Sequence, residues 1–271
     1  MEADKSGVLV GLSDREPVPA RNSFRQLGVR VDAFQIPDVI AIAERLIKVR
    51  GRAQYISFVG MHSMTESQTD PALKDALNGS GLAVADGMSM VWLARYHGFD
   101  LERRVYGPEF MLKFSEATVS KSIRHFFYGG AEGVAQSLAE NMQQRFPGLV
   151  VAGWYSPPFR PLMEDEEKEI AKKIKDAQAD ILWVGLGAPK QEKWMYAHTH
   201  LDVPLMAGVG AAFDLNTGRL KQAPGWMQEN GLEWLFRLYA EPRRLWRRYL
   251  LLGPKFVFYV LAEILGLRKF K

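Results

Sequence analysis

The sequence predicts an α/β fold, a parallel sheet flanked by helices, with a helical appendage at the C-terminal end. Three observations predict it. Short apolar runs alternate with amphipathic helical stretches from about residue 29 to residue 209. Glycines and acidic or small residues sit where those runs end, the place where such sheets put their ligand sites. After Gly210 the alternation stops, and the remainder of the chain reads as helices interrupted at Pro242 and Pro254.

The expected strands are 29–34, 55–59, 82–85, 125–128, 150–154, 181–184 and 205–209, each short and rich in β-branched or aromatic residues. Between them, Asp38 is placed to cap a helix over 39–50. Further helices are expected over 63–77, 87–96, 108–120, 131–145, 164–177 and 189–198. Residues 1–24 mix charged and small residues without an apolar core, so they read as a flexible arm without a secretory signal. The division expected is therefore an arm at 1–24, the α/β domain at 25–224 and a basic helical appendage at 225–271.

Composition narrows the chemistry. Of 271 residues, 47% are hydrophobic and 24% charged, the balance of a globular domain. The chain has no cysteine, which excludes disulfides, thiolate metal sites and a thiol nucleophile, and fits a cytoplasmic setting. The apolar stretch 256–267 is too short to span a bilayer and contains Glu263. The net charge of +4 is unevenly spread: residues 237–271 hold nine Lys/Arg and two Asp/Glu, leaving the rest at −3. A basic tail with interleaved aromatics suits an anionic membrane surface or a phosphate ligand. The negative remainder argues against a nucleic-acid groove across the domain.

Five segments could carry chemistry. Asp86 ends a strand and precedes Gly87, so it can serve as a general base or as an N-cap for the next helix. Gly129 and Gly130 open the turn 129–133, where backbone N–H groups could approach a pyrophosphate or where the chain merely turns tightly. Lys190 and Gln191 fall in the first turn of a helix, and a glutamine can both donate to and accept from sugar hydroxyls. Gly208 and Gly210 flank the end of the last strand, with Asp214 best read as a cap. Finally, Arg237, Arg243, Arg244, Arg247 and Arg248 recur at helical spacing, Arg244 with Arg248 and Arg243 with Arg247 sharing faces. Guanidinium groups chelate phosphate oxygens bidentately.

Absences add to this. There is no Asp-x-Asp pair to hold a cation against a pyrophosphate, and the five histidines show no metal-ligand spacing. Without a metal, the charge of a leaving diphosphate has to be met by arginines and helix N-termini. The turn 129–133 could instead suggest a dinucleotide enzyme, but the acidic residue expected about 20 residues on is missing. A non-enzymatic membrane or nucleic-acid adaptor using the basic tail is the remaining alternative.

Taken together, VADGMSMVWLARYHG, RVYGPEFM, HFFYGGAEGVA, VGLGAPKQEKWM, GVGAAFD and QAPGWMQENGLEWLFRLYAEPRRLWRRYL resemble the WecG/TagA/CpsF glycosyltransferase family from about Phe34 to Leu252. The resemblance implies a Rossmann-like domain and a cofactor-free, metal-independent inverting transfer. The sugar would pass from a UDP-sugar to a polyprenyl-diphosphate-linked sugar, at the inner face of the cell membrane. Asp86 matches the family's general base, Gln191 a substrate-contacting glutamine, and Arg104 a pocket arginine. Arg237, Arg244 and Arg247 match tail arginines that fold over the site and hold the diphosphate, while the tail docks on the membrane. The chain departs from the family at Phe58 and Gly60, where many members carry Thr and Asn. The expected role is therefore exopolysaccharide or capsule synthesis rather than a teichoic acid linkage unit. The apolar faces of the tail leave a homo-oligomer open.

Overall fold

The structure, a computed structural model, describes residues 22–50 and 52–270. Most of the arm expected at 1–24 therefore lies outside the described residues, although Ser23 already begins a strand.

That strand, β1 (Ser23–Gln26), forms a hairpin with β2 (Val29–Asp32) through Leu27 and Gly28, both at positive φ (53° and 74°). Two left-handed residues match the twist of paired strands, which is why a Leu-Gly corner closes so tightly. Next come α1 (Ile36–Val49), β3 (Gln54–Val59), α2 (Met61–Glu66), α3 (Pro71–Asn78), β4 (Leu82–Ala85) and α4 (Met88–Tyr96). The helix expected over 63–77 is two helices. Pro71 cannot continue the first, and Asp70 caps the second through the Leu73 N–H at 3.1 Å.

The second half comprises α5 (Gly107–Thr118), β5 (Arg124–Gly129), α6 (Val134–Arg145), β6 (Val150–Tyr155) and α7 (Glu164–Asp176). It ends with β7 (Ile181–Gly185), α8 (Lys190–Ala197), β8 (Leu205–Gly208) and α9 (Ala212–Asn216). Among the described residues, eight strands lie in the order β1-β2-β4-β3-β8-β7-β5-β6, with the edge pair β1–β2 antiparallel and the other pairs parallel. The α/β class with a largely parallel, helix-flanked sheet is thus as the sequence predicts.

The appendage consists of α10 (Gly225–Glu229), α11 (Glu233–Ala240) and α12 (Pro242–Trp246), then a single π-helical stretch at Arg247–Leu251, then α13 (Leu252–Ile264). The chain does not break at Pro254. The wider π turn just before it accommodates the missing N–H and the ring, so the helix runs on. Phe256 and Val260 bury one face of α13 in the same core as Met64, Leu73 and Met90, against α2. Burial of this kind contributes about 1.5–3 kcal/mol per side chain. Glu263 adds a polar anchor, accepting from the Leu27 N–H at 2.8 Å and from the Gln26 side chain. The opposite face, with Val257, Phe258, Leu261 and Leu265, is exposed. Among the described residues, no helix is long and apolar enough to cross a membrane.

Candidate active site

The site gathers beyond the carboxyl ends of β3 and β4, under the appendage. Asp86 leaves β4 with its N–H bonded to the Val59 carbonyl of β3 at 2.8 Å. The N-cap position of α4 belongs to Gly87, at φ 114°, so Asp86 is not used as a cap. Asp86 is half-buried, with protein around its carboxyl on most sides. Burial pushes its pKa up to about 6. Arg104, Arg248 and Arg237 pull against that rise, and Glu233 reinforces it. A carboxylate so poised takes a proton more readily than an ordinary aspartate.

Arg104 reaches this place because the Val105 N–H bonds to the Ala85 carbonyl at 2.8 Å, which lays the segment before α5 along the end of β4. Its guanidinium stacks 4.2 Å over the Tyr106 ring and donates to Glu233, the first residue of α11. Burial opposes its charge, and Glu233 and Asp86 more than offset this, so it stays cationic. The Tyr106 hydroxyl is buried with no partner.

Arg237 stands one turn beyond Glu233 on the same helix and interacts electrostatically with Asp86, Glu233 and Tyr106. Arg248, on the π stretch, turns inward. Its Nη2 lies 2.6 Å from both ring nitrogens of buried His62 on α2. Burial, then Arg248 and Arg237, hold His62 well below the usual imidazole pKa, so the ring is neutral and can accept. A narrow cleft lined by Tyr106, Glu233 and Arg237 opens between the appendage and the domain.

Next to this cluster, Gln191 in α8 is buried. Its Nε2 donates to the Gly208 carbonyl at 2.6 Å and to Glu192 Oε1 at 3.1 Å, while its Oε1 has no partner. Burial pushes the neighbouring Glu192 carboxyl up to about 7. A Cβ on Gly208 would meet Gln191 Nε2 at 3.1 Å and Met195 Cε at 2.6 Å, and one on Gly210 would meet Gln191 Oε1 at 3.3 Å. The two glycines make room for this glutamine.

Of the residues expected from sequence, Asp86, Arg104 and Arg237 are brought together, with Gln191, Gly208 and Gly210 at the ends of the adjoining strands. Arg247 lies apart: it is exposed and its guanidinium sits 5.4 Å from the Trp246 ring centroid. The Arg244 side chain lies outside the described residues. Gly129 and Gly130 stand at the end of β5, separated from β4 by β7, β8 and β3. Their conformations answer a packing demand, since a Cβ on Gly129 would fall 2.6 Å from the Gly185 backbone and one on Gly130 2.8 Å from Val134. Sequence patterns do not single out Glu233, Tyr106 or His62. A lone acidic residue inside the apolar run LEWLF is the available signal for the first. Arg248 stands out in sequence only as one of the arginine set, because the π turn that directs it inward leaves no periodic trace.

Among the described residues, no three His, Asp or Glu side chains gather to hold a metal. A larger cavity of about 560 Å³ lies at the opposite, amino end of the strands, by the starts of β5 and β7. Four of its charged groups are paired with one another, Lys121 with Glu44 and Arg50 with Asp180.

Residues 24–270 match the glycosyl transferase WecG/TagA/CpsF family. Similar curated proteins include the N-acetylglucosaminyldiphosphoundecaprenol N-acetyl-beta-D-mannosaminyltransferases of Bacillus spizizenii (strain ATCC 23059 / NRRL B-14472 / W23) and Bacillus subtilis (strain 168). The first is 32% identical over 199 residues, 73% of this chain and 75% of that protein. The second is 32% identical over 190 residues, 70% and 72%. The protein of the same description from Staphylococcus aureus (strain NCTC 8325 / PS 47) is 27% identical over 66% of this chain and 69% of its own. The chain belongs to the WecG/TagA/CpsF family and is a glycosyltransferase.

Proposed function

We propose that this enzyme transfers a sugar from a UDP-sugar to a polyprenyl-diphosphate-linked sugar, with inversion and without a metal ion. The observation that carries the reading is the convergence of Asp86 with Arg104, Arg237 and Arg248. Asp86 removes the proton from an acceptor hydroxyl as that oxygen attacks the anomeric carbon. The bond from that carbon to the donor phosphate breaks on the opposite face, and UDP leaves. Arg237 and Arg248 offset the charge that collects on the departing diphosphate. Gln191, with an oxygen still lacking a donor, is placed to accept from a sugar hydroxyl. The names of the relatives support a lipid-diphosphate acceptor.

Work at the inner membrane face is supported by the appendage. Its exposed apolar face (Val257, Phe258, Leu261, Leu265) accompanies Arg243, Arg247, Lys255 and Arg268, the pattern of an interfacial helix on anionic lipid. Phe58 is buried against Phe110, and a Cβ at Gly60 would meet the Asp86 carbonyl at 3.0 Å and His62 Nδ1 at 3.3 Å. The Thr and Asn that the family resemblance implies for many members at these two positions have no counterpart in this chain. This supports a different sugar or acceptor, in exopolysaccharide or capsule synthesis.

The test is a panel of UDP-sugars offered with a short-chain lipid-diphosphate sugar in excess EDTA, with product mass read out. One donor should add one sugar to the acceptor. Absence of product from every donor, with UDP binding also absent, would remove the reading.

A further inference from the structure

We propose that Glu233 is a positioning residue that couples docking of the C-terminal helices to the readiness of Asp86 to take a proton. The inference rests on the reading of Asp86 as the base.

Arg104 is the contested group. Its backbone is held beside the end of β4 by the Val105–Ala85 hydrogen bond, a tie that does not involve the appendage, and its guanidinium acts electrostatically on Asp86. Two carboxylates act on it, Glu233 on α11 by direct contact and Asp86 on the domain electrostatically. In the docked structure Glu233 has it: Arg104 donates to Glu233, whose side chain is 8% exposed. With Glu233 absent, the same guanidinium would be free to turn onto Asp86, holding the carboxylate ionised and occupied. An aspartate paired in that way is a poor base. Glu233 thus draws Arg104 off, and its own negative charge works in the same direction on Asp86.

The described charged and titratable groups around Asp86 come from each element packed there. Arg104 and Tyr106 come from the segment entering α5, Glu233 and Arg237 from α11, Arg248 from the π stretch and His62 from α2. Among the described side chains, the guanidinium groups of Arg104, Arg237 and Arg248 meet the carboxylates of Asp86 and Glu233, Glu66 on α2 acts electrostatically on Arg248, His62 is neutral and the Tyr106 phenol keeps its proton. Because Glu233 and Arg237 are one turn apart, a single movement of α11 delivers both the activating carboxylate and one phosphate-binding arginine.

A purely structural anchor would change stability and leave the titration of the base alone, so the pH dependence of kcat/KM, which reports groups of the free enzyme, separates the two. For Glu233→Gln in the full chain, the acidic limb should move down by about one pH unit, with a lower plateau. Glu233→Asp should return the limb toward the wild-type position. Arg104→Met should move it up, because a cation has been removed from beside Asp86. That variant keeps the proposal testable even where Glu233→Gln fails to fold. Shifts in one common direction, or an unmoved limb in both variants, would overturn the proposal. Asp86→Asn is measured alongside. If it keeps activity and limb, the base reading itself falls. If it abolishes activity while Glu233→Gln and Arg104→Met leave the limb in place, only the role of Glu233 falls.

Discussion

Arg248 Nη2 lies 2.6 Å from both ring nitrogens of His62, a contact between the appendage and the helix that comes after β3. It works only while the imidazole is neutral, and burial beside two guanidinium groups keeps it so. A neutral ring with a lone pair orients Arg248 without consuming its charge, which stays available to a phosphate. Replacing His62 with Phe leaves the guanidinium buried without its acceptor. The expected cost is about 1.5–3 kcal/mol in denaturant unfolding, together with weaker UDP binding by calorimetry.

Asp86→Asn should separate activity from stability. The folded pKa of Asp86, about 6, is raised above the ordinary aspartate value, so the native state holds its proton more tightly than the unfolded chain. The resulting penalty on the native state is absent below the unfolded pKa. It grows as pH rises between the two values and is complete above about 6. Asparagine removes it. The variant should be more stable than wild type by about 1–3 kcal/mol at pH 8 and no more stable at pH 3.5, while kcat falls about 10²–10⁴-fold. Urea unfolding at the two pH values is the check; equal stability at both would show that Asp86 is not desolvated in the fold.

Gly208 sits where Gln191 and Met195 leave no room for a methyl group. Gly208→Ala should push the Gln191 amide off the strand end, lowering kcat/KM about tenfold at a stability cost of about 1–3 kcal/mol for overpacking. A drop in stability with unchanged kcat/KM would show that Met195 alone gives way and that Gln191 does not touch substrate.

The exposed face of α13 is expected to meet lipid. Phe258→Ser with Leu261→Ser should weaken sedimentation with phosphatidylglycerol vesicles at least tenfold, since each side chain contributes about 1.5–3 kcal/mol when buried. UDP affinity and melting temperature should stay near wild type. Arg247→Gln should act in the same way, through vesicle binding at low salt, because its side chain is exposed beside Trp246. Loss of UDP affinity in Arg247→Gln would instead return that arginine to the diphosphate site.

The strand–helix alternation is legible because the central strands are buried on both sides and read as continuous apolar runs. Asp86 is legible because it interrupts such a run at its carboxyl end. The β1–β2 hairpin is not, since Ser-Phe-Arg-Gln has one buried apolar side and its partners come from both ends of the chain, Glu263 among them. The inward turn of Arg248 is hidden for a different reason. An even helical spacing assigns Arg248 to a face with Arg244, but the wider π turn takes up an extra residue at Arg247–Leu251 and shifts the phase of the faces. Glu233 escapes notice because its meaning depends on Arg104, 129 residues away in sequence.

The most direct measurement is UDP affinity by calorimetry in excess EDTA, comparing the wild-type chain with Arg237→Gln/Arg248→Gln. The arrangement predicts metal-free binding in the wild type and at least a hundredfold loss in the double variant, whose fold is confirmed by circular dichroism. Unchanged UDP affinity in the folded double variant would contradict it.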